Sequence, residues 1–421
     1  MFSEADRVLM GRALALARRG LWTTTPNPRV GCVLSAPGAG SGAGFSLISD
    51  GADSADRLSG LGGTIIGEGW HQQAGQAHAE VHALSAAGER ARGATAYVTL
   101  EPCAHHGRTS PCVDALIQAG VARVIVAMED PNPLVAGRGL ARLRAAGIEV
   151  RCGLLADEAL ELNLGFVARM TRGLPWVRLK VAASLDGRTA LPDGRSQWIT
   201  GAAARADGHA WRARACAILT GIGTVRDDDP QLTVRDLPDH LLPASGPIRQ
   251  PQRVLIDSRL EIDPQARLVR AGDLLLVHAL DPAWLVAGPL AEKASLLQDH
   301  GVELLSLPQP RSPASEPQAT GPLPPPSKVD LGALLAELAR REVNELHVEA
   351  GAALNGSLLR EGWVDELLIY LAPALLGDSR AMFKLVPPES LELAKRFYFH
   401  AVEAVGDDLR ILARDRQRST V

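Results

Sequence analysis

Residues 78–120 read HAEVHALSAAGERARGATAYVTLEPCAHHGRTSPCVDALIQAG, and their pattern decides the first half of the chain. Small and apolar residues recur at helical spacing through AHAEVHALSAAGERA. ATAYVTL then runs as a strand, and PCVDALIQAG returns to helical spacing. A strand follows at RVIVAM, a helix at AGRGLARLRAAG and a strand at IEVRCG. Strands alternating with helices predict an α/β layer, with helices covering a largely parallel sheet. Upstream, Asp6 to about Arg19 predicts a helix, and TPNPRVGCVL passes from a Pro-rich loop into a buried strand. The strand signal resumes at TIIGEGW. The two strands read as a β-hairpin whose turn is replaced by a Gly-, Ser- and Ala-rich insertion, residues 35–63, expected to be flexible.

The run ADEALELNLGFVARMTRG reads as a connecting helix, 154–172, and a boundary falls near Gly173 and Pro175. The chain therefore divides into 1–153, the connector, and 173–421. The second half restarts with a strand in WVRLKVAASLDG. Further strands are predicted in RVLIDS, DLLLVHA, VELLSL, ELHVEAG and ELLIYLAP, with helices between several of them. This is a second α/β unit with its own core. Its segment 308–328, PQPRSPASEPQATGPLPPPSK, is expected to be a disordered or exposed loop.

The totals agree with two or three domains. The chain has 421 residues, 46% hydrophobic and 22% charged, the profile of an ordinary soluble globular protein. A net charge of −4 argues against bulk electrostatic binding of nucleic acid. The start MFSEADRVLMGRALALARRG is amphipathic and carries acidic residues, so it reads as a helix and not as a signal peptide. No apolar run approaches the roughly 20 residues that span a bilayer. A cytoplasmic protein without membrane contact is expected. The cysteines are Cys32, Cys103, Cys112, Cys152 and Cys216, an odd and sparse set that suits free thiols or metal ligands better than disulfides.

The sharpest chemical signal is His78-Ala79-Glu80, followed by Glu101-Pro102-Cys103 and then Cys112. Catalytic zinc takes three protein ligands and leaves one position for water. His78, Cys103 and Cys112 fill that requirement, and the cation acidifies the water it holds. Glu80 reaches the water without occupying the metal and suits a general base that later passes the proton to a leaving amine. His78 and Glu80 are predicted in the first turn of one helix, with Pro102 and Cys103 opening the next, so that two helix N-termini favour the thiolates. His82, one turn after His78, reads as a helix histidine near the site. His105 and His106 read as lining or shaping the loop between the cysteines.

Zinc nucleobase deaminases carry H-x-E followed by P-C-x-x-C. This chain keeps the first half and separates the cysteines by AHHGRTSP. TPNPRVG, HAEVHAL, YVTLEPCAHHGRTSPC and DPNPLVAGRG resemble the deaminase half of the bifunctional riboflavin biosynthesis deaminase-reductases, over nearly all of residues 1–153. The resemblance implies a cytidine-deaminase-like three-layer α/β/α fold. It also implies that Asn27 contacts the substrate, ahead of the alternative reading of Asn27 as a turn residue between two prolines.

In the second half KVAASLDGRTA, SQWITG, AWRARACAILTGIGTVRDDDPQLTVR, RVLIDS and VEAGAALNGSLL occur in order and resemble the reductase half of the same family. That resemblance implies a dihydrofolate-reductase-like α/β fold using NADPH. No Gly-x-Gly-x-x-Gly follows a strand, so NADPH is implied by the resemblance and by two glycine-bearing strand-to-helix junctions, AILTG into IGTV and LHVEAG into AALNGSLL. Carried over by position, Lys180, Ser196, Arg212, Leu232, Arg235 and Glu349 are substrate-binding candidates, with Arg212 and Arg235 suited to a ribose 5-phosphate. Ala182, Trp198, Thr200, Thr224, Asp228, Ser258 and Gly351 are the cofactor-binding candidates. Trp198 also reads as a packing residue, and Asp228 as part of the acidic turn RDDDP. Lys180 and Glu349 both remain candidates for the proton donor.

The implied activity is zinc-dependent deamination of a phosphoribosylaminopyrimidine, followed by NADPH reduction of its ribosyl chain, in a homo-oligomer (dimer or tetramer). One rival is a deaminase of another nucleoside or of a tRNA base, with an unrelated second domain. Another is a deaminase-like binding module without turnover, against which the retention of Glu80 and all three ligands speaks.

Overall fold

Gly31, Gly67 and Gly69 set how closely helices lie on the first sheet. In the computed structural model, which describes residues 1–36, 64–104, 111–133, 135–235, 237, 247–287, 290–310 and 328–418, a Cβ at Gly31 would lie 2.0 Å from the Ala13 carbonyl. At Gly67 it would lie 2.2 Å from the Ala83 carbonyl, and at Gly69 2.3 Å from that of Ala79. Ala13 belongs to α1 (Glu4–Arg18), and Gly31 opens β1 (Gly31–Ser35). Gly67 and Gly69 lie on β2 (Ile65–Trp70), directly under α2 (Ala79–Ala87). Ala79, Ala83 and Ala87, spaced four apart, give α2 the matching small face.

The remaining elements are β3 (Thr95–Val98), α3 (Cys112–Gln118), β4 (Arg123–Val126), α4 (Arg138–Ala145), β5 (Glu149–Cys152) and α5 (Ala156–Arg172). The sheet order is β2-β1-β3-β4-β5. β1 is antiparallel to both neighbours, whereas β3, β4 and β5 are parallel. The sheet is thus mixed, and the hairpin of β1 and β2 forms as expected, with Gly31 opposite Trp70 and Ser35 opposite Ile65. Strand parity builds three layers. Cys32, Leu34, Val98, Val124 and Val126 pack under α2, α3 and α4. Val33, Tyr97 and Ile125 pack on the other face with Leu9, Met10 and Ala159 from α1 and α5.

The chain divides at Arg172 and Gly173. The expected connecting helix belongs to the first unit. Asn163, fully buried on α5, accepts from the Arg29 N–H at 2.8 Å and donates to its carbonyl at 3.0 Å.

The second unit is built on one sheet of nine strands among the described residues, ordered β11-β10-β9-β8-β12-β6-β13-β16-β15. Its elements are β6 (Trp176–Ser184), β7 (Arg188–Ala190), α6 (Ala202–Arg214), β8 (Ala217–Gly221), α7 (Ile222–Asp228), β9 (Gln252–Ile256), β10 (Leu274–His278) and β11 (Val302–Ser306). They continue as α8 (Leu331–Arg340), β12 (Glu345–Val348), α9 (Ala352–Arg360), β13 (Glu366–Ala372), β14 (Arg380–Ala381), β15 (Phe397–Val405) and β16 (Asp408–Asp415). Three shorter helices, Arg267–Arg270, Ala283–Ala287 and Ala291–Asp299, lie between β9 and β11. β7 and β14 form a separate antiparallel pair. Strands β11 through β13 are parallel, while β16 and β15 close one edge antiparallel. That closing pair is absent from the strands read in the sequence.

α7 leaves β8 toward one face, where Val225 packs with Ile218 and Leu255. α9 leaves the adjacent β12 toward the other, where Leu358 and Leu359 pack with Val177 and Leu346. Neighbouring parallel strands whose helices depart to opposite faces make a topological switch point, and the crevice at their carboxyl ends is where such sheets bind ligands. Most of insertion 35–63 (residues 37–63) and of segment 308–328 (residues 311–327), together with His105 and His106, lies outside the described residues. No helix of the described residues is long and apolar enough to cross a membrane.

Candidate active sites

In the first unit His78 is the residue that caps α2, with extended backbone, and Glu80 is the second residue of that helix. Cys112 opens α3, whereas Cys103 sits in the loop after β3 and not on a helix. The expectation that Cys103 begins a helix is therefore corrected. α3 still serves it, because the Cys112 backbone N–H donates to its Sγ at 3.3 Å. Nδ1 of His78 lies 3.6 Å from Sγ of Cys103 and 3.3 Å from Sγ of Cys112. All three donor atoms lie within 4.8 Å of one another, and His82 is not among them.

Glu80 is buried beside this cluster, and its Oε2 has no hydrogen-bond partner. Burial pushes its carboxyl up to about 7. The hydrogen bond from Cys112 holds the Cys103 thiol down, to about 4, with His78 acting in the same direction. The same bond, helped by burial, pushes Cys112 up.

Asn27 reaches this site through a residue the sequence did not single out. Its Nδ2 lies 3.0 Å from Nε2 of His71, whose Nδ1 lies 3.1 Å from the Ala77 carbonyl. The His71 and His78 rings meet edge to face at 5.2 Å. With Nδ1 donating to the carbonyl, Nε2 accepts from Asn27, which leaves the Asn27 Oδ1 as an acceptor for a ligand. Glu101, next to the site, accepts from the N–H groups of Asp130, Gly137, Gly139 and Leu140, so it fastens the following loop and the start of α4.

The second unit holds a cleft of about 1330 Å³ at its switch point. All thirteen reductase candidates line it: Lys180, Ser196, Arg212, Leu232, Arg235 and Glu349, with Ala182, Trp198, Thr200, Thr224, Asp228, Ser258 and Gly351. Both glycine-bearing junctions open into it, with Gly221 and Gly351 capping α7 and α9. Trp198 is 69% exposed, so it is not a packing residue, and the Arg205 guanidinium lies 4.5 Å from its ring centre. The Ser196 hydroxyl donates to Asp228 at 3.3 Å.

Arg212 grips Glu349 through Nε at 2.5 Å and Nη2 at 2.8 Å, and its Nη1 donates to the Thr233 carbonyl at 3.1 Å. That fork is therefore not open to a phosphate. Arg235 is exposed, with Nη1 on Gln231 at 3.0 Å and its backbone N–H on Nδ1 of His209 at 3.1 Å. Burial lowers Lys180. Burial alone would raise Glu349, but the charge and hydrogen bonds of Arg212, with Lys180, hold it well below the usual carboxylate range.

Residues 3–128 match the family described as the cytidine and deoxycytidylate deaminase zinc-binding region, and residues 175–411 match the RibD C-terminal domain. The riboflavin biosynthesis protein RibD of Escherichia coli (strain K12) is 44% identical over 412 residues, covering 96% of this chain and 98% of that protein. The chain belongs to the RibD family. RibD of Haemophilus influenzae is also 44% identical, over 97% of each chain. The solved structure of Acinetobacter baumannii RibD, form 1, is 40% identical with a TM-score of 0.78, covering 97% of this chain and 98% of that one. The Thermotoga maritima diaminohydroxyphosphoribosylaminopyrimidine deaminase/5-amino-6-(5-phosphoribosylamino)uracil reductase is 28% identical with a TM-score of 0.73, at the same coverage. As a RibD-family member the chain is a bifunctional deaminase and reductase of riboflavin biosynthesis, with a zinc-binding deaminase domain and a reductase domain that uses NADPH. The match over residues 175–411 excludes an unrelated second domain.

Proposed function

We propose that the first unit removes the 2-amino group of 2,5-diamino-6-(5-phosphoribosylamino)pyrimidin-4(3H)-one, and that the second reduces the ribosyl chain of the product to give 5-amino-6-(5-phosphoribitylamino)uracil. The observation that carries this reading is the meeting of His78, Cys103 and Cys112 beside the unpartnered Oε2 of buried Glu80. Tetrahedral zinc, with bonds of about 2.0–2.3 Å, holds its donors roughly 3.3–3.8 Å apart. Separations of 3.3 and 3.6 Å fit that ion. When bound, zinc supplies the Lewis acidity that makes water nucleophilic near neutral pH.

Glu80 takes a proton from the water whose oxygen forms the new bond to C2. As the C–N bond breaks, Glu80 returns that proton to the departing nitrogen, which leaves as ammonia. Asn27, held by His71, offers Oδ1 to the pyrimidine edge.

In the second unit NADPH, when bound, supplies the hydrogen and the two electrons that reduce C1 of the opened ribosyl chain. Trp198 lies open to the cleft as a face for a flat ring, and Gly221 and Gly351 let α7 and α9 begin at its wall. Arg235 and Ser196 face the sugar phosphate. Glu349, kept ionised by Arg212, accepts from sugar hydroxyls and has no proton to give. Of the two candidates for the proton donor this leaves Lys180, and its lowered pKa makes it a ready donor of the proton that completes reduction. The same reading includes a dimer or tetramer in the cytoplasm, the former checked by light scattering.

Glu80→Gln is expected to keep one zinc per chain and lose ammonia release. Lys180→Met is expected to release ammonia normally but to leave NADPH unoxidised. Full ammonia release by a zinc-loaded Glu80→Gln chain would overturn the assignment of the base.

A further inference from the structure

Beneath the reductase cleft lies a buried titratable side chain that none of these steps uses. His347 is fully buried on β12, two residues before Glu349, so both project to the same side of the sheet. Its Nε2 lies 3.4 Å from Oε1 of Glu349, and neither ring nitrogen makes a hydrogen bond. A buried imidazole whose polar contact is this long is destabilising, and an aliphatic side chain in its place would avoid that cost.

Its surroundings leave one clear acceptor. Arg178, opposite it on β6, is bound by Glu345 at 3.0 Å and Glu366 at 2.5 Å. Arg214 is bound to Glu345 at 2.7 Å. The Oε1 of Glu349 that lies 3.4 Å from Nε2 also accepts from the Arg212 Nε at 2.5 Å. Burial keeps the ring neutral, so one of its nitrogens carries a hydrogen and the other does not. Long hydrogen bonds in ligand-free sites commonly tighten once the substrate is in place.

We propose that His347 is a positioning residue of the reductase: its Nε2–H holds Oε1 of Glu349 from beneath, keeping that carboxylate turned toward Arg212 and the sugar. This rests on the reading of Glu349 as a substrate contact. A residue that merely fills space would be replaced best by another apolar one, which separates the two roles.

Three variants and one spectrum test it. The amide nitrogen of His347→Gln falls near Nε2, that of His347→Asn near Nδ1, and His347→Leu fills the volume without a donor. The Leu and Asn variants are expected to lower kcat for NADPH oxidation by about tenfold, the usual effect of losing one hydrogen bond to a charged group. They are also expected to weaken ribose 5-phosphate binding, measured by calorimetry without NADPH. Gln should stay within about twofold of wild type on that scale, and ammonia release should be unchanged in all three. The ring nitrogen shifts of 15N-His-labelled wild type should report hydrogen on Nε2 of His347, a readout that needs no variant to fold. A Leu variant as active as wild type, a Gln variant as poor as Leu, or hydrogen on Nδ1 would each overturn the assignment. If wild type binds ribose 5-phosphate and oxidises NADPH, such a failure touches His347 alone. A wild type that does neither would end the reductase reading, and the role of His347 with it.

Discussion

Replacing Gly69 by alanine tests whether the close seat of α2 on β2 sets the zinc site. The added Cβ would stand 2.3 Å from the Ala79 carbonyl, 2.6 Å from the Ala83 nitrogen and 2.6 Å from the His82 Cβ. Two of these neighbours are helix backbone, so no side chain can swing aside for them. Ordinary contact begins near 3.4 Å, so α2 must lift by about 1 Å, and interiors this dense transmit such a shift. Ala79 lies between His78 and Glu80, so ligand and base move with it. A displacement of about 1 Å in reacting groups costs on the order of a hundredfold in rate. Overpacking of this kind costs about 1–3 kcal/mol of stability. Ammonia release, zinc per chain and thermal midpoint are to be measured together, with NADPH oxidation of preformed deaminated intermediate as the control on the other unit. Gly11→Ala is the matched variant: it lies on α1, its Cβ would meet nothing within 4 Å, and helix propensity favours it by about 1 kcal/mol. A Gly69→Ala chain with wild-type ammonia release and midpoint would refute the reasoning.

Glu101→Gln turns one of two accepting oxygens into a donor facing backbone N–H groups, so the first unit should lose about 2–4 kcal/mol in urea unfolding. Chelation of zinc with dipicolinate should abolish ammonia release and leave the reduction of preformed deaminated intermediate intact, followed by NADPH absorbance. Lys180 must be protonated to act, so the reductase rate should fall as pH rises through its folded pKa. Burial lowers that value, which places the fall below about pH 10, the ordinary lysine range. Lys180→Arg, whose guanidinium cannot give up a proton, should lose NADPH oxidation across the whole pH series.

Much of the first unit was legible because its layers alternate along each strand: Val33 packs one way, Cys32 and Leu34 the other. The H-x-E and cysteine spacing likewise marked residues that meet in space. Cys103 was misplaced because Pro102 suggests a helix start, whereas the helix waits for Pro111, which precedes Cys112. His71 carried no local signal. Only the pairing of β1 with β2, which sets Gly31 against Trp70, brings GEGWHQ beside the Asn27 loop. The C-terminal pair β15 and β16 was missed for a related reason. Its charged residues pair across strands, as Arg410 does with Glu403 at 2.5 Å, which blurs the alternation of apolar and polar positions. His347 lies in a run that reads as an apolar strand, and its role depends on parity with Glu349.

The central claim is that one chain carries two separate, sequential sites, and mixing two disabled chains tests it most directly. Glu80→Gln and Lys180→Met are each supplied with zinc, NADPH and the diaminopyrimidine phosphate, alone and together, while ammonia and NADPH absorbance are followed. Lys180→Met alone should release ammonia, neither chain alone should oxidise NADPH, and the mixture should restore NADPH oxidation as intermediate passes from the intact first unit of one chain to the intact second unit of the other. A mixture as inactive toward NADPH as either chain alone would contradict the account.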